Sequence, residues 1–527
     1  MDNMGKSRRE FIQKVMAIGG AGAALATINA LSIPSAFASD LPPKMKANGN
    51  GKKVLILGGG LAGMTSAYEL AQKGYDVQII EARSFAGGRC QTARKGMVIE
   101  ELGGTKQICD FDKGQYLNLG PMRIPAHHRS TLYYTQKFKI PLETYINYNE
   151  DAWVYNDKQK SLPPQRMREV LADMHGYVNE MMAKSLSSDS LDKTISDKDK
   201  ELLLAYLIRE GHLDQADLSY KGYGGRGYKL DPGALLQAGD PTTPNDLESL
   251  LESELWNVAS SVSSHTQPKT VFQPVGGMDM IAKGFEEHTK QYISYNTEVQ
   301  KIRQKDGKVI VDVMNLDTKK PRTLTGDFCI CTIPLSVLKQ IDSDFSPRFK
   351  EAMEAVAYTP TCKLGIQTAT RFWETKDLIF GGHSVLTAGS PKTGNITYPS
   401  HDMFQEKGVL LSAYNFNSDA AQFSALSPQE RFELSVRVGQ LVHGDDYKNN
   451  AEKAVSISWH LQKYNLGGWA SWTDEARDQH YPILCEPEGN IYLAGEHMSY
   501  MNGWMAGAIE SAWDQIAKLD QAVLKAA

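Results

Sequence analysis

The stretch from Lys53 to Arg83 constrains this chain more than any other. Val54-Leu55-Ile56-Leu57 is a short apolar run bounded by turn residues, the pattern of a strand buried on both faces of a parallel sheet. Gly58-Gly59-Gly60-Leu61-Ala62-Gly63 follows at once, and Met64 to Lys73 then carries apolar residues at helical spacing up to Gly74, a natural C-terminal cap. Asp76 to Ile80 is a second strand that ends in Glu81. Strand, glycine loop, helix, strand and acid in this order make a dinucleotide-binding unit. Gly58 permits the tight turn, Gly60 lets the backbone approach a pyrophosphate, and Gly63 lets the helix close on the strand, while the helix N-terminus offers free N–H groups to phosphates. Glu81 can accept hydrogen bonds from a ribose. Gly222 to Gly227 has a similar glycine density, but no apolar strand precedes it and Pro232 follows, so it reads as a flexible loop.

A chain of 527 residues is long enough for two or three domains with well-buried cores. Its balance, 41% hydrophobic and 23% charged with a formal net charge of -5, does not suggest a nucleic-acid partner. The six cysteines form no CxxC pair and no Cys/His cluster, which argues against a zinc site or a disulfide framework; Cys329 and Cys331 sit in an apolar run and read as free core thiols. At the N-terminus, Ser7-Arg8-Arg9-Glu10-Phe11-Ile12-Gln13-Lys14 resembles a twin-arginine export signal. The Gly/Ala-rich stretch Val15 to Ile33 and the small-residue site Ala36-Phe37-Ala38 follow. The apolar run is short for a spanning helix, so a cleaved leader is preferred to a membrane anchor. The mature protein is expected to be periplasmic or secreted.

Further along, Ala82-Arg83-Ser84-Phe85-Ala86-Gly87-Gly88-Arg89 places an arginine beyond a glycine pair, where it can pair with phosphate oxygens. In Gly120-Pro121-Met122-Arg123-Ile124-Pro125, two prolines fix the backbone and leave Arg123 between apolar neighbours, a setting that suits a carboxylate ligand as well as a structural ion pair. Residues 127 to 255 change character, with helical spacing from Pro163 to Leu186 and from Lys198 to Gly211; Met174, Met181 and Met182 read as core packing. Thr297-Glu298-Val299 and Val309 to Val313 suggest a strand pair, Phe328 to Pro334 a buried strand, and Phe345 to Val442 an alternation of strands and polar turns. Within that alternation Lys363 is a lone charge in a strand of small and apolar residues, which needs water, a cofactor atom or a sheet edge to be tolerated. Gly489 to Glu496 is a strand with an acid at its end, and Asn502-Gly503-Trp504-Met505-Ala506-Gly507-Ala508 opens a helix through small residues that let a large planar cofactor approach.

Two of these runs carry a family resemblance. Glu81 to Arg89 resembles the second fingerprint of FAD-binding amine oxidases, and Gly120 to Pro125 is similar to the substrate-carboxylate segment of L-amino-acid oxidases. The resemblance covers most of the chain after residue 52 and is weakest in the helical insert. It implies an α/β fold: a Rossmann-like FAD-binding domain from residues 52–126, 256–334 and 451–527, a substrate-binding α+β domain at 335–450, and a helical subdomain at 127–255. A signal at 1–38 and a linker at 39–51 precede them. FAD would contact Gly58, Gly60, Leu61, Ala62, Gly63 and Glu81, then Ala82, Arg83, Gly88 and Arg89. Gly120, Pro121, Met122, Arg123 and Val299 would line it further along, and Glu496, Gly503, Trp504, Met505 and Ala508 at the C-terminal end. Lys363 matches the family lysine that holds a water against the flavin N5, and Tyr398 the tyrosine that supports Arg123 in holding the carboxylate. Gly503 would leave room for substrate and Trp504 would wall it. Trp469 stands where monoamine oxidases attach FAD through cysteine, so FAD would be noncovalent. The implied reaction is oxidation of an L-amino acid to a 2-oxo acid, ammonia and hydrogen peroxide, with dioxygen as acceptor, and a homodimer is plausible by resemblance. A decarboxylating flavin monooxygenase, an amine or polyamine oxidase, and a flavin-binding protein without turnover are the alternatives.

Overall fold

The computed structural model describes residues 41–159, 161–187, 196–234, 237–257 and 267–526. The segment expected to be an export signal therefore lies outside the described residues. Its core is a five-stranded sheet in the order Ile293–Ser294, Asp76–Ile80, Lys53–Leu57, Phe328–Cys331 and Ile491–Leu493. Every pairing in it is parallel. A parallel sheet needs cover on both faces, and this chain supplies it asymmetrically. On one face Val54 and Ile56 pack with the helices Leu61–Ala71, Asp279–Thr289 and Met505–Ala526. On the other, Leu55 and Leu57 meet Val309, Val311 and Val313 of an antiparallel sheet built from Thr297–Lys305, Lys308–Asn315 and Pro321–Gly326.

The second large sheet has seven strands, in the order Ala451–Ser458, Thr361–Thr368, Gly408–Phe416, Gly394–Thr397, His383–Thr387, Trp153–Asn156 and Gln165–Arg166. It crosses two expected boundaries. Trp153–Asn156 and Gln165–Arg166 come from the segment assigned to the helical subdomain, and Ala451–Ser458 from the segment assigned to the nucleotide domain. The stretch after Phe416 is helical rather than an alternation of strands. Pro428–His443 is started by a capping box between Ser427 and Glu430, and it lays Leu434, Val438 and Val442 on the sheet residues Leu364, Ile366 and Leu410.

The helical insert consists mainly of Met167–Ser187 and Asp197–Glu210. Met181 and Met182 are exposed there, at 51% and 44%, and are not core. The glycine-rich run at 222–227 is not a flexible loop: Gly224–Arg226 forms a 3-10 turn whose Arg226 is buried. Its Nε donates to Asp173 at 2.8 Å, and Tyr220 and Asn245 donate to the same carboxylate. Residues 41–51 are also more than a linker. Met45 and Ala47 are buried, and the Lys46 and Ala47 amides donate to the Asp520 carboxylate of the last helix at 2.8 and 2.9 Å. All six cysteines are free, Cys329 and Cys331 fully buried. Among the described residues no helix is long and apolar enough to cross a membrane, and no cluster of His, Cys, Asp and Glu could hold a metal ion.

Candidate active site

One cavity of about 740 Å³ runs from the glycine loop to Arg123. At its first end the strand Lys53–Leu57 hands over to the helix through Gly58, at φ 109°. A Cβ on Gly63 would stand 2.0 Å from the Gly58 carbonyl oxygen, so only glycine lets the helix sit this close to the strand; Gly63 itself is packed away from the cavity wall. A Cβ on Gly60, by contrast, would meet nothing within 4 Å, and Gly60 lines the cavity: the backbone there is bare toward the open space. Glu81 accepts from the Gly59 amide at 2.7 Å and from the Arg83 amide at 2.8 Å, and burial raises its carboxyl despite the nearby Arg83 guanidinium. The Gly87 amide donates to the Gly59 carbonyl at 2.8 Å, which ties the second glycine pair to the first loop. Bare backbone, a helix N-terminus and a buried acid fit a dinucleotide cofactor. Ala82, Arg83, Gly88, Val299, Met505 and Ala508 line the same wall, as do Leu61 and Ala62.

Two expected cofactor contacts turn out to face each other. Arg89 Nη1 donates to Glu496 at 2.9 Å and to the Gly468 carbonyl at 2.8 Å. Glu496 also accepts from the Ala470 and Gly503 amides at 3.1 and 3.0 Å. Burial works to raise the Glu496 carboxyl, but Arg89, the neighbouring His497 and these amides together hold it below the usual carboxylate range. Both residues line the cavity, yet the pair first of all clamps the second fingerprint to the C-terminal segment.

At the other end the cavity becomes aromatic. Tyr414 lies 4.6 Å from Phe416, and Phe416 5.5 Å from Trp469, ring centre to ring centre. Trp504 carries the Arg123 guanidinium 5.6 Å from its ring and packs edge-on against His128. Gly120, Pro121 and Met122 bring Arg123 to this end. A Cβ on Gly503, at φ 77°, would come within 3.3 Å of Trp469, so the space there is shared with that indole. Lys363 is 1% exposed; its Nζ donates to the carbonyls of Gly120 and Asn118 and lies 4.7 Å from the Tyr414 ring centre. Burial, and then the Arg123 charge, push this amine well below the ordinary lysine range, so it is not a snorkelling surface lysine.

Tyr398 does not join Arg123. It is fully buried, with its hydroxyl within hydrogen-bond distance of Ser384 at 2.6 Å and His443 Nε2 at 2.8 Å, and it lines a separate small cavity. The reason is strand parity. Ile396 and Tyr398 are two residues apart and enter the same apolar cluster, whereas Tyr414 stands directly opposite Lys363 across the strand pair and so faces the large cavity. Tyr145 is a second phenol beside Arg123; burial raises its hydroxyl, and the guanidinium works against that rise. Sequence reasoning also missed Gln267, whose Oε1 accepts from Arg123 Nη2 at 2.5 Å. At the nucleotide end it missed Tyr464, beneath Arg83 with its ring centre 5.5 Å away, and Asn465, which accepts from Arg83 Nη2.

A family model described as flavin containing amine oxidoreductase matches residues 61–515. Among curated proteins, the chain is 28% identical over 481 residues to a putative L-amino-acid oxidase, YobN, of Bacillus subtilis (strain 168), covering 89% of this chain and 94% of that one. It is 26% identical over 495 residues to an L-amino-acid oxidase of Crotalus adamanteus, covering 89% and 86%. Solved structures share the fold: putrescine oxidase, with a TM-score of 0.60 at 15% identity over 90% of this chain and 99% of that one, and cyclohexylamine oxidase from Brevibacterium oxydans IH-35A, with 0.58 at 14% over the same shares. With the family match running from residue 61 to residue 515, through nearly the whole described chain, this protein belongs to the flavin-containing amine oxidoreductases.

Proposed function

We propose that the protein is an FAD-dependent L-amino-acid oxidase that converts its substrate to a 2-oxo acid, ammonia and hydrogen peroxide. The observation that supports this reading is the charge state of the aromatic end of the cavity. Arg123 meets a neutral amide there, and no carboxylate of the described residues lies within ion-pair distance of it. Its field reaches Lys363, His128 and His383, in each case adding to burial in pushing the base downward. A partly buried cation without a counter-charge is a receptor for an anion, and a planar guanidinium matches a carboxylate.

FAD, which Gly58, Gly60, Glu81 and Arg83 would hold, would supply a two-electron acceptor for the substrate's alpha C–H, with dioxygen as the final oxidant. The protein's own residues do the rest. Arg123 holds the substrate carboxylate, with the Tyr414 hydroxyl, pushed up to about 12 by burial, as a neutral donor in place of the expected Tyr398. Fixing that group orients the alpha carbon, and such positioning can lower a barrier by several kcal/mol. The walls formed by Tyr414, Phe416, Trp469 and Trp504 exclude water and disfavour the charged ammonium, which favours the neutral amine that oxidation requires. Lys363, its amine pushed below the ordinary lysine range by burial and then by the Arg123 charge, can accept or hold a proton beside the cofactor end of the strand. The one cysteine on the cavity wall, Cys90, is raised by burial to about 12 and donates to the Met278 carbonyl, which favours a noncovalent cofactor.

The test is anaerobic bleaching of the purified yellow protein by single L-amino acids, followed by mass analysis of the product made in air. Bleaching by amino acids with a 2-oxo acid as product supports the reading. Bleaching only by amines, or an amide product, overturns it.

A further inference from the structure

We propose that Gln267 is the residue that sets the preference for a carboxylate-bearing substrate, by engaging one edge of the Arg123 guanidinium without cancelling its charge. The inference rests on the oxidase reading above and names what makes that site selective.

The arginines buried in the fold, and Arg89 on the cavity wall, are matched by acids, while Arg83 at the nucleotide end donates to Asn465. Arg89 pairs with Glu496, Arg226 with Asp173, Arg371 with Glu374, and Arg431 with Glu101. Arg123 instead donates through Nη2 to the carboxamide oxygen of Gln267. An amide oxygen satisfies a donor and restrains the fork, but it carries no net charge. A guanidinium has five N–H donors and a bidentate carboxylate uses two of them, so the Gln267 bond is compatible with an acid ligand on the same group.

The backbone makes this bond a built feature. Gln267 lies just before the strand Thr270–Pro274, which pairs antiparallel with Leu142–Ile146, the strand that carries Tyr145. Ile124, next to Arg123, exchanges both backbone hydrogen bonds with Phe272 of that same strand, at 2.7 and 2.9 Å. The segment that carries Arg123 is thus tied by an isolated bridge to the strand that Gln267 precedes by three residues. Gln267 also lines the large cavity beside Arg123. A carboxylate at position 267 would sit where the substrate's acid has to compete.

The experiment compares purified wild-type protein with Gln267→Glu, Gln267→Ala and Gln267→Asn. The substrates are the L-amino acid that wild type oxidises fastest and the amine lacking only its carboxylate; the readout is peroxide release. Flavin absorbance reports that each variant is folded and loaded. Gln267→Glu is expected to raise KM for the amino acid about 100-fold with a much smaller change in kcat, and to leave or improve turnover of the amine, so that the acid-to-amine ratio of kcat/KM collapses. Gln267→Ala should raise KM about 10-fold, with partial recovery in Gln267→Asn. Benzoate, a carboxylate without an amine, should perturb the flavin spectrum of wild type and bind Gln267→Glu at least 10-fold more weakly. An unchanged acid-to-amine ratio in Gln267→Glu overturns the proposal. Should that variant carry no flavin, an unchanged KM in Gln267→Ala does so instead. A wild-type protein that oxidises no L-amino acid sinks the oxidase reading itself, an outcome visible before any variant is made.

Discussion

Arg123 can hold a substrate because its neighbours leave its charge uncancelled, and this makes it the residue to change first. Arg123→Ala should lower kcat/KM for L-amino acids by about 100-fold, the effect of losing a charge-assisted pair of about 3 kcal/mol. Oxidation of carboxylate-free amines should be unaffected; steady-state peroxide assays with both substrate classes check this. Tyr414→Phe should cost about 10-fold in KM and Tyr398→Phe close to nothing in KM, because the Tyr398 hydroxyl is occupied by Ser384 and His443. The contrast between these two tyrosines shows where sequence reading stops at this scale. Arg123 and Trp504 are singled out by resemblance together with the proline and glycine around them, and both lie on the wall of the large cavity. Which tyrosine faces the cavity depends on the parity of a strand and its cross-strand register, and nothing local to Ile396 or Tyr398 records that. Gln267 left no signal at all, since an isolated glutamine becomes meaningful only when the distant segment bridged at Ile124 places Arg123 beside it.

Elements that are complete within a few residues of sequence were read almost as they stand. The strand, loop, helix and strand between Lys53 and Ile80 match the structure to within a few residues at each end, because each start and stop is encoded by glycine or by an apolar run. Gly63→Ala, with its Cβ against the Gly58 carbonyl, should push the helix off the strand. The expected result is protein that loses its flavin on gel filtration while keeping its far-ultraviolet circular dichroism. Elements whose partners are distant were misread. The turn Gly224–Arg226 is ordered by Asp173, about fifty residues earlier, and the expectation of a flexible loop missed an ion pair in which both side chains are at most 3% exposed. Arg226→Met leaves that carboxylate buried without its cation. It should destabilise the insert by about 3–5 kcal/mol, measurable as a lower urea midpoint and faster proteolysis of the insert.

At the scale of the whole molecule, the fold class was legible and the boundaries were not. The seven-stranded sheet draws Trp153–Asn156 and Ala451–Ser458 across lines where the composition shows no break, and residues 41–51 dock on a helix that ends the chain. Buried histidines give the assembled protein a pH dependence of definite sign. Burial lowers His128 to about 3 and His497 to about 4, against 6.5 for a free histidine. Below 6.5 the unfolded chain binds protons that the folded chain refuses, so stability is highest above that pH and falls as the pH drops toward 4. The fall is at most about 1.4 kcal/mol per pH unit for each histidine. His383 and His401, each lowered to about 4 by burial, add to the slope, and urea midpoints between pH 7 and 5 should show it, reduced by roughly a quarter in His497→Phe. The sheet order has one further consequence, for biosynthesis. Its outermost strand, Ile491–Leu493, and the acid that grips Arg89 are translated some four hundred residues after the glycine loop they complete. A ribosome paused anywhere before residue 491 therefore carries a nascent chain with an unfinished cradle, and acquisition of the prosthetic group has to wait until that strand and Glu496 have been made.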